Sequence, residues 1–296
     1  MSATIIDGRA IAESIRGEVK KASGELKASK KITPGLAFIL AGEDPGSQAY
    51  VRMKGKGCEE AGFFSITERL PQSISEEEVL RLIERFNADP RIHGILVQLP
   101  LPAHIREERV IRAIDYKKDV DGFHPVNVGR LVIGRPCLKP CTPLGIQELL
   151  VRSRIETSGR HVVIIGRSNI VGKPMANLLV QKGRGANAVV TVVHSAAADI
   201  SKFTLQADIL IAAMGRPKFV TAPMVKKGAA VIDVGINRVP DPSVKSGTRL
   251  VGDVDYDSVL PKAAFITPVP GGVGPMTIAM LLSNTLAAAA GTLYND

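Results

Sequence analysis

The segment His161-Val-Val-Ile-Ile-Gly166-Arg167-Ser168-Asn-Ile-Val-Gly172-Lys-Pro174 constrains this chain more than any other. Four consecutive β-branched residues run into a glycine and then into a helical stretch, the strand-turn-helix order of a dinucleotide-binding unit. Gly166 permits the tight turn, the helix behind it offers unpaired N–H groups to a pyrophosphate, and Gly172 lets helix and strand pack closely. The usual three-glycine fingerprint is altered, because Ser168 holds the middle place and the last glycine comes one residue late. Read alone, such a turn is also a plain connection between elements.

The next strand narrows the reading. An NAD site holds the ribose hydroxyls with an acidic residue about 20 positions on, but the strand ending Thr191-Val-Val-His194-Ser195 carries none there. A 2′-phosphate would be repelled by a carboxylate and held by Arg167, Ser168 and Ser195, so NADP is favoured over NAD. His194 is a weaker candidate, since it equally reads as a strand-end residue.

Strand and helix alternate along the whole chain, which predicts an α/β fold of parallel strands joined by helical crossovers. Strands are expected at Leu36 to Leu40 and Ile95 to Leu99, with two helices between them. The second of these helices is capped at Ser75, with Glu78 reaching back, and buries Val79, Leu82, Ile83 and Phe86. Ile11, Ile15 and Val19 mark one face of a first helix. Further strands are expected at Val162–Ile165, Val189–Val193, Ile209–Ala213, Val231–Val234 and Phe265–Thr267. Gly- and Pro-rich sequence from Gly134 to Gly145 separates two halves, and an Ala-rich helix from Pro275 through Ala290 closes the chain.

Upstream of the glycine turn, Ser47-Gln-Ala-Tyr50-Val-Arg-Met-Lys54 follows a Pro45-Gly46 turn, with Ser47 expected as the cap. Four-residue spacing puts Tyr50 and Lys54 on one helix face. Short-chain dehydrogenases share Tyr-x-x-x-Lys, but there the nucleotide turn precedes the tyrosine, and here the order is reversed. Val97-Gln98-Leu99-Pro100-Leu101-Pro102 sets a lone amide at the end of a buried strand, where α/β sheets hold ligands. Lys118-Asp119-Val120-Asp121-Gly122 adds carboxylates in a short loop. Taken singly, a surface Tyr/Lys pair, a strand-capping Gln98 and a turn-starting Asp119 or Asp121 are equally good accounts.

Composition limits the alternatives. The chain has 296 residues, a formal net charge of +9 and a pI near 9.5. Its basic residues are scattered as short pairs such as Lys20-Lys21, Lys117-Lys118 and Lys226-Lys227, without a nucleic-acid-binding motif, so an anionic small ligand is preferred to nucleic acid. Three cysteines, Cys58, Cys137 and Cys141, form no disulfide framework, and Cys137-x-x-x-Cys141 lacks a second ligand pair, so no metal site is expected. Neither a signal sequence nor a bilayer-spanning run is read, which places the protein in the cytoplasm.

Together the segments resemble the bifunctional methylenetetrahydrofolate dehydrogenase/cyclohydrolase family, of the bacterial short-form type. The likeness covers essentially the whole chain: Tyr50 to Lys54, Val97 to Pro102, Lys118 to Gly122, Pro140-Cys-Thr-Pro143, Gly166 to Gly172, Asp233-Val-Gly-Ile236-Asn, and, most specific, Pro268-Val-Pro-Gly-Gly-Val-Gly-Pro275-Met-Thr277. The resemblance implies two α/β domains flanking a cleft, the second a Rossmann-like doubly wound parallel sheet, with the C-terminal helix returning to the first domain. It implies a folate-binding catalytic domain over 1–121 with helix 276–296, and an NADP-binding domain over 122–275. By resemblance Lys54 is the general acid/base, Gln98 orients it, Tyr50 packs on the folate and Asp121 binds the pterin's amino edge. Gly166, Arg167, Ser168, Ser195 and Ile236 fall on cofactor positions, while Pro100, Gly272, Pro275 and Thr277 fall on substrate positions.

The implied activity is NADP-dependent oxidation of 5,10-methylenetetrahydrofolate, then hydrolysis of the methenyl product to 10-formyltetrahydrofolate, in one-carbon metabolism. The residue inventory agrees. Hydride removal leaves a cation stabilised by two nitrogens and releases no proton, so positioning is the main task of that step. Hydrolysis needs a group that accepts a proton from water and later protonates a ring nitrogen, which a lysine in a partly apolar cleft can do. Tetrahydrofolate derivatives, including polyglutamylated forms, are the implied partners, and the family implies a homodimer. The competing readings are a monofunctional dehydrogenase, a shikimate- or amino-acid-type dehydrogenase, and a folate-binding protein without turnover.

Overall fold

Short apolar runs bounded by glycine, proline or polar turns become buried strands in the computed structural model, which describes residues 3–244 and 247–294. Two compact units divide the chain, Met1–Ala12 with Thr142–Thr277 and Glu13–Cys141 with Ile278–Asp296. The chain opens with β1 (Thr4–Ile5) and α1 (Gly8–Lys30). On α1, Ala12, Ile15, Val19 and Leu26 are buried at helical spacing, and Ile11 is half-buried.

The unit of Glu13–Cys141 is built on β2 (Gly35–Ala41), α2 (Pro45–Glu60), β3 (Phe64–Leu70), α3 (Glu76–Ala88) and β4 (Gly94–Val97), followed by α4 (Glu107–Ala113) and α5 (Pro125–Val132). Its three strands are parallel in the order β3-β2-β4, with β2 buried at every position. The sequence reading puts two helices between β2 and β4 but no strand. In β3 the polar Ser65, Thr67, Glu68 and Arg69 mask the alternation of Phe64, Ile66 and Leu70, as suits an edge strand. The expected capping box of α3 is formed, with Glu78 N donating to Ser75 Oγ and Ser75 N to Glu78 Oε2. Val79, Leu82, Ile83 and Phe86 pack with Ala37, Ile39, Ile95 and Val97 in one core. Because the chain goes from β2 outward to β3 and then back to β4 on the other side, the C-terminal ends of β2 and β4 form a topological switch point.

The other unit takes α6 (Cys141–Arg152) from Thr142 onward, then β5 (His161–Ile165), α7 (Gly172–Leu179), β6 (Val189–Val193), α8 (Ser201–Thr204), β7 (Ile209–Ala212), β8 (Ala230–Asp233), β9 (Asn237–Pro240), β10 (Thr248–Val251), α9 (Tyr256–Val259) and β11 (Phe265–Ile266). Its main sheet is six-stranded and parallel throughout, in the order β1-β11-β8-β7-β5-β6, the doubly wound arrangement expected. The pairing of β1 with β11 and the antiparallel hairpin β9–β10 were not anticipated. Val163, Ile165, Leu210, Ala212, Val231 and Ile266 belong to its core. Here the switch point lies between β5 and β7.

The closing helix α10 (Val273–Ala290) starts in the second-described unit and, from Ile278, belongs to that of Glu13–Cys141. There Asn284 Nδ2 donates to the carbonyls of Val120 and Lys139, both at 2.8 Å. Contrary to the expectation of no such run, α10 meets the length and hydropathy of a membrane span. Half of it is buried in the protein, and through Asn284 it donates these internal polar bonds as a core helix does. Of the tail anticipated to 296, residues 295–296 lie outside the described residues.

Candidate active site

Helix α2 begins at Asp44, whose carboxylate accepts a hydrogen bond from Ser47 N at 2.7 Å, with Pro45 in the first turn. Asp44 is therefore the cap, and Ser47, expected in that role, is a buried first-turn residue. One turn apart on α2, Tyr50 is half-buried and Lys54 is 6% exposed. Burial pushes the Tyr50 phenol's pKa up, so the ring stays neutral.

Lys54 Nζ donates to Gln98 Oε1 at 3.0 Å. Gln98 continues β4 by one residue, its N–H donating to Ile39 O at 2.9 Å, so the amide stands at the switch point of the three-stranded sheet. Its Nε2 donates to Leu99 O at 2.7 Å, which leaves Oε1 turned to the lysine. The following Leu99–Pro100 peptide is cis, and Pro100 is exposed.

The Lys118–Gly122 loop separates two carboxylates that look alike in the sequence. Lys118 Nζ donates to the carbonyls of Phe86, Asn87 and Asp89 and so closes the end of α3. Asp119 Oδ2 accepts from His124 N at 2.7 Å and Asn127 Nδ2 at 2.9 Å, and Asn127 Oδ1 accepts from Tyr294 OH at 2.6 Å. These bonds make Asp119 a structural carboxylate. Among the described residues Asp121 has no such amide anchors: burial pushes its pKa up, while the charge of Lys54 pulls it down. Lys54, Gln98 and Asp121 thus form one electrostatic group within this unit, and Tyr50 shares the helix face of Lys54.

In the other unit Gly166 follows β5 with φ 129°, and a Cβ there would stand 2.2 Å from Ala213 O, at the end of β7. A Cβ on Gly172 would stand 2.2 Å from Gly166 O. Both glycines are therefore required by close backbone approach at the switch point. Ser168 Oγ accepts from Val171 N at 3.1 Å and Gly172 N at 3.4 Å, so this hydroxyl, in the turn ahead of α7, engages the N–H groups at the helix start. Arg167 and Ser195 are exposed, and no hydrogen bond or ion pair among the described residues engages their side chains. His194 Nδ1 accepts from Ala196 N at 3.3 Å, the strand-end role. No carboxylate stands from His194 through Ala198, so this donor set suits a phosphorylated ribose.

Ile236 is 46% exposed after β8, and its side chain lies near Gly274. Gly272 has Pro268 O and Thr267 Cβ each 2.7 Å from where its own Cβ would be. Pro275 sits in the first turn of α10, and the Thr277 and Thr142 hydroxyls are 3.0 Å apart. One residue the sequence reading passed over stands out in this unit. Asp253 is fully buried and hydrogen-bonds both the loop after β7 and Asn237, the first residue of β9, a tie that no spacing in the sequence signals.

Comparison with known proteins places these units in context. Residues 6–121 match the catalytic domain of tetrahydrofolate dehydrogenase/cyclohydrolase, and residues 140–293 match the NAD(P)-binding domain of the same enzymes. The bifunctional protein FolD of Prosthecochloris aestuarii is 59% identical over 284 residues, 95% of this chain and 96% of that protein. The crystal structure of the bifunctional FolD enzyme from Campylobacter jejuni superposes with TM-score 0.92 at 48% identity, covering 99% of this chain and 100% of that one. The Trypanosoma brucei enzyme, solved with NADP cofactor and inhibitor, superposes with TM-score 0.93 at 43% identity over 99% of both chains.

Proposed function

Since the chain belongs to the tetrahydrofolate dehydrogenase/cyclohydrolase family, we propose how its residues divide the two reactions of that family. The protein is an NADP-dependent bifunctional enzyme. It oxidises 5,10-methylenetetrahydrofolate to the 5,10-methenyl form and hydrolyses that to 10-formyltetrahydrofolate. The contact of Lys54 Nζ with Gln98 Oε1, part-buried at a switch point within the residues matching the catalytic domain, carries the residue assignment.

NADP+, when bound, supplies the hydride acceptor for the methylene carbon. The loop around Gly166 is the expected seat of its pyrophosphate; Arg167, Ser168 and Ser195 would hold the 2′-phosphate, and Ile236 would be a further cofactor contact. Tyr50 packs on the folate and Asp121 takes the pterin's amino edge. Pro100, Gly272, Pro275 and Thr277 are further substrate contacts, on the strength of the motifs that hold them.

In the hydrolysis, water adds to the methenyl carbon and gives a proton to unprotonated Lys54 Nζ. The resulting carbinol then collapses: its hydroxyl proton passes to solvent, the bond from carbon to N5 breaks, and Lys54 returns its proton to N5. One proton is released overall. Gln98 Oε1 accepts a hydrogen bond from Nζ as amine or as ammonium, so the lysine keeps its aim through the cycle. Replacing Lys54→Met is expected to reduce methenyltetrahydrofolate hydrolysis by at least about 100-fold, while NADP+ affinity changes less than about twofold. Absorbance decay of the methenyl product beside calorimetric NADP+ titration reads both, and full hydrolytic rate in the variant would remove Lys54 from the mechanism.

The finer partner assignments are also proposals. Polyglutamylated folates are the favoured substrates, because the net charge of +9 attracts polyanions. The protein works in the cytoplasm as a homodimer, and all three cysteines are buried free thiols in keeping with a reducing compartment. The pairing surface is the open edge β6, which exposes Val189 and Val192 next to a free row of backbone groups.

A further inference from the structure

We propose that Asp253 is the positioning residue of the dehydrogenase reaction, a buried carboxylate that sets the two loops on which the cofactor is expected to rest. This rests on the assignment of the nucleotide site to the edge at β5 and β7. Asp253 Oδ2 accepts from Met214 N at 2.7 Å and from Gly215 N at 2.9 Å, which fixes the two peptide units after β7. The preceding residue, Ala213, is the one whose carbonyl lies against Gly166, so the loop held by Asp253 abuts the nucleotide turn itself. Asp253 Oδ1 accepts from Asn237 Nδ2 at 2.9 Å, next to Ile236 on the loop after β8. One carboxylate thus joins the loop after β7 to the residue that ends the loop after β8, while remaining out of solvent.

Asp253 is itself held in place. Asp233, at the end of β8, accepts from Asp253 N and Gly235 N through Oδ1 and from Val254 N through Oδ2, each at 2.9 Å. Glycine is required on both sides of the pair. A Cβ on Gly252 would stand 1.7 Å from Asp233 Oδ2, and one on Gly235 would stand 2.3 Å from Asp253 Oδ1. Thr267 Oγ1 accepts from Asp233 N at 2.8 Å and ties the pair to the segment after β11. Two carboxylates this close repel, and each is tolerated because three donors converge on it. So dense an arrangement at the C-terminal end of the parallel strands is what a preorganised cofactor seat requires.

The two activities provide an internal control, because hydrolysis of methenyltetrahydrofolate consumes no cofactor. Asp253→Ala is expected to weaken NADP+ binding, read by calorimetry, by about tenfold or more, and to raise the KM for NADP+ in step. The cyclohydrolase rate should stay within about twofold of wild type. Asp253→Asn keeps one accepting oxygen and should rescue most of the affinity; Asn237→Ala removes a single bond and should cost about threefold. Unchanged NADP+ affinity in a folded Asp253→Ala protein, or parallel loss of both activities, overturns the proposal. Should Asp253→Ala not fold, unchanged affinity in both Asp253→Asn and Asn237→Ala overturns it equally. Failure of the underlying site assignment shows separately: Arg167→Ala and Ser168→Ala would then leave NADP+ affinity untouched.

Discussion

Residues of one type play unlike parts in this protein according to what faces them. Asp119 and Asp121 are two positions apart, yet the first is held by Asn127 and His124 while the second feels the charge of Lys54. Glu76, buried in the first turn of α3, shows the same dependence. Arg106 Nη2 donates to Glu76 Oε1 at 2.6 Å and Arg106 N to Oε2 at 2.8 Å, and with Arg109 they hold the Glu76 pKa down at about 2 from an ordinary 4.5. A carboxylate whose folded pKa is depressed stabilises the fold above its unfolded value and loses that contribution as pH falls through the folded one. Glu76→Gln is therefore expected to be less stable than wild type at pH 7, with the gap closing as pH drops from about 4.5 towards about 2. Urea unfolding of both proteins across that range measures it, and a gap independent of pH would disprove the ionic account.

The elements most sensitive to a single change are those brought within backbone contact. Helix α7 approaches β5 so closely that Gly172 has no room for a methyl group, the obstacle being the Gly166 carbonyl rather than a flexible side chain. Gly172→Ala is expected to cost about 1–3 kcal/mol in unfolding free energy and to weaken NADP+ binding, because α7 must move off the turn. Thermal unfolding and cofactor titration test it; wild-type values in both would mean that the turn has slack the structure does not show. The helices also show how readable local chemistry is. The capping box at Ser75 and Glu78 was legible because all its atoms lie within one turn of chain. The cap of α2 was misplaced by three residues, since Asp44 and Ser47 both have capping side chains and only the backbone path selects between them. Strand β3 was missed because an edge strand buries too little to leave a clear pattern.

At the scale of the whole molecule, the open edge of the six-stranded sheet is the feature a monomer would have to protect. Val189 is 61% exposed on β6. Introducing Val189→Lys and Val192→Lys together is expected to convert a dimer to monomers, as read by light scattering after size exclusion, with both catalytic activities retained. A wild-type protein that runs as a monomer would dispose of the homodimer. The sequence by itself determined the parallel α/β class, most strands, the glycine turn and the family likeness, because these rest on apolar periodicity and on short motifs whose atoms are neighbours along the chain. The family likeness already named Gln98 and Asp121 beside Lys54; tertiary structure alone decided the atoms that meet, Lys54 Nζ on Gln98 Oε1, the anchoring of Asp119 by Asn127 and His124, and the tie made by Asp253. Those pairings join residues 44 positions apart in Lys54–Gln98 and 39 apart in Met214–Asp253. Such contacts exist only once crossovers have set the strand order, and no local pattern of residues encodes them.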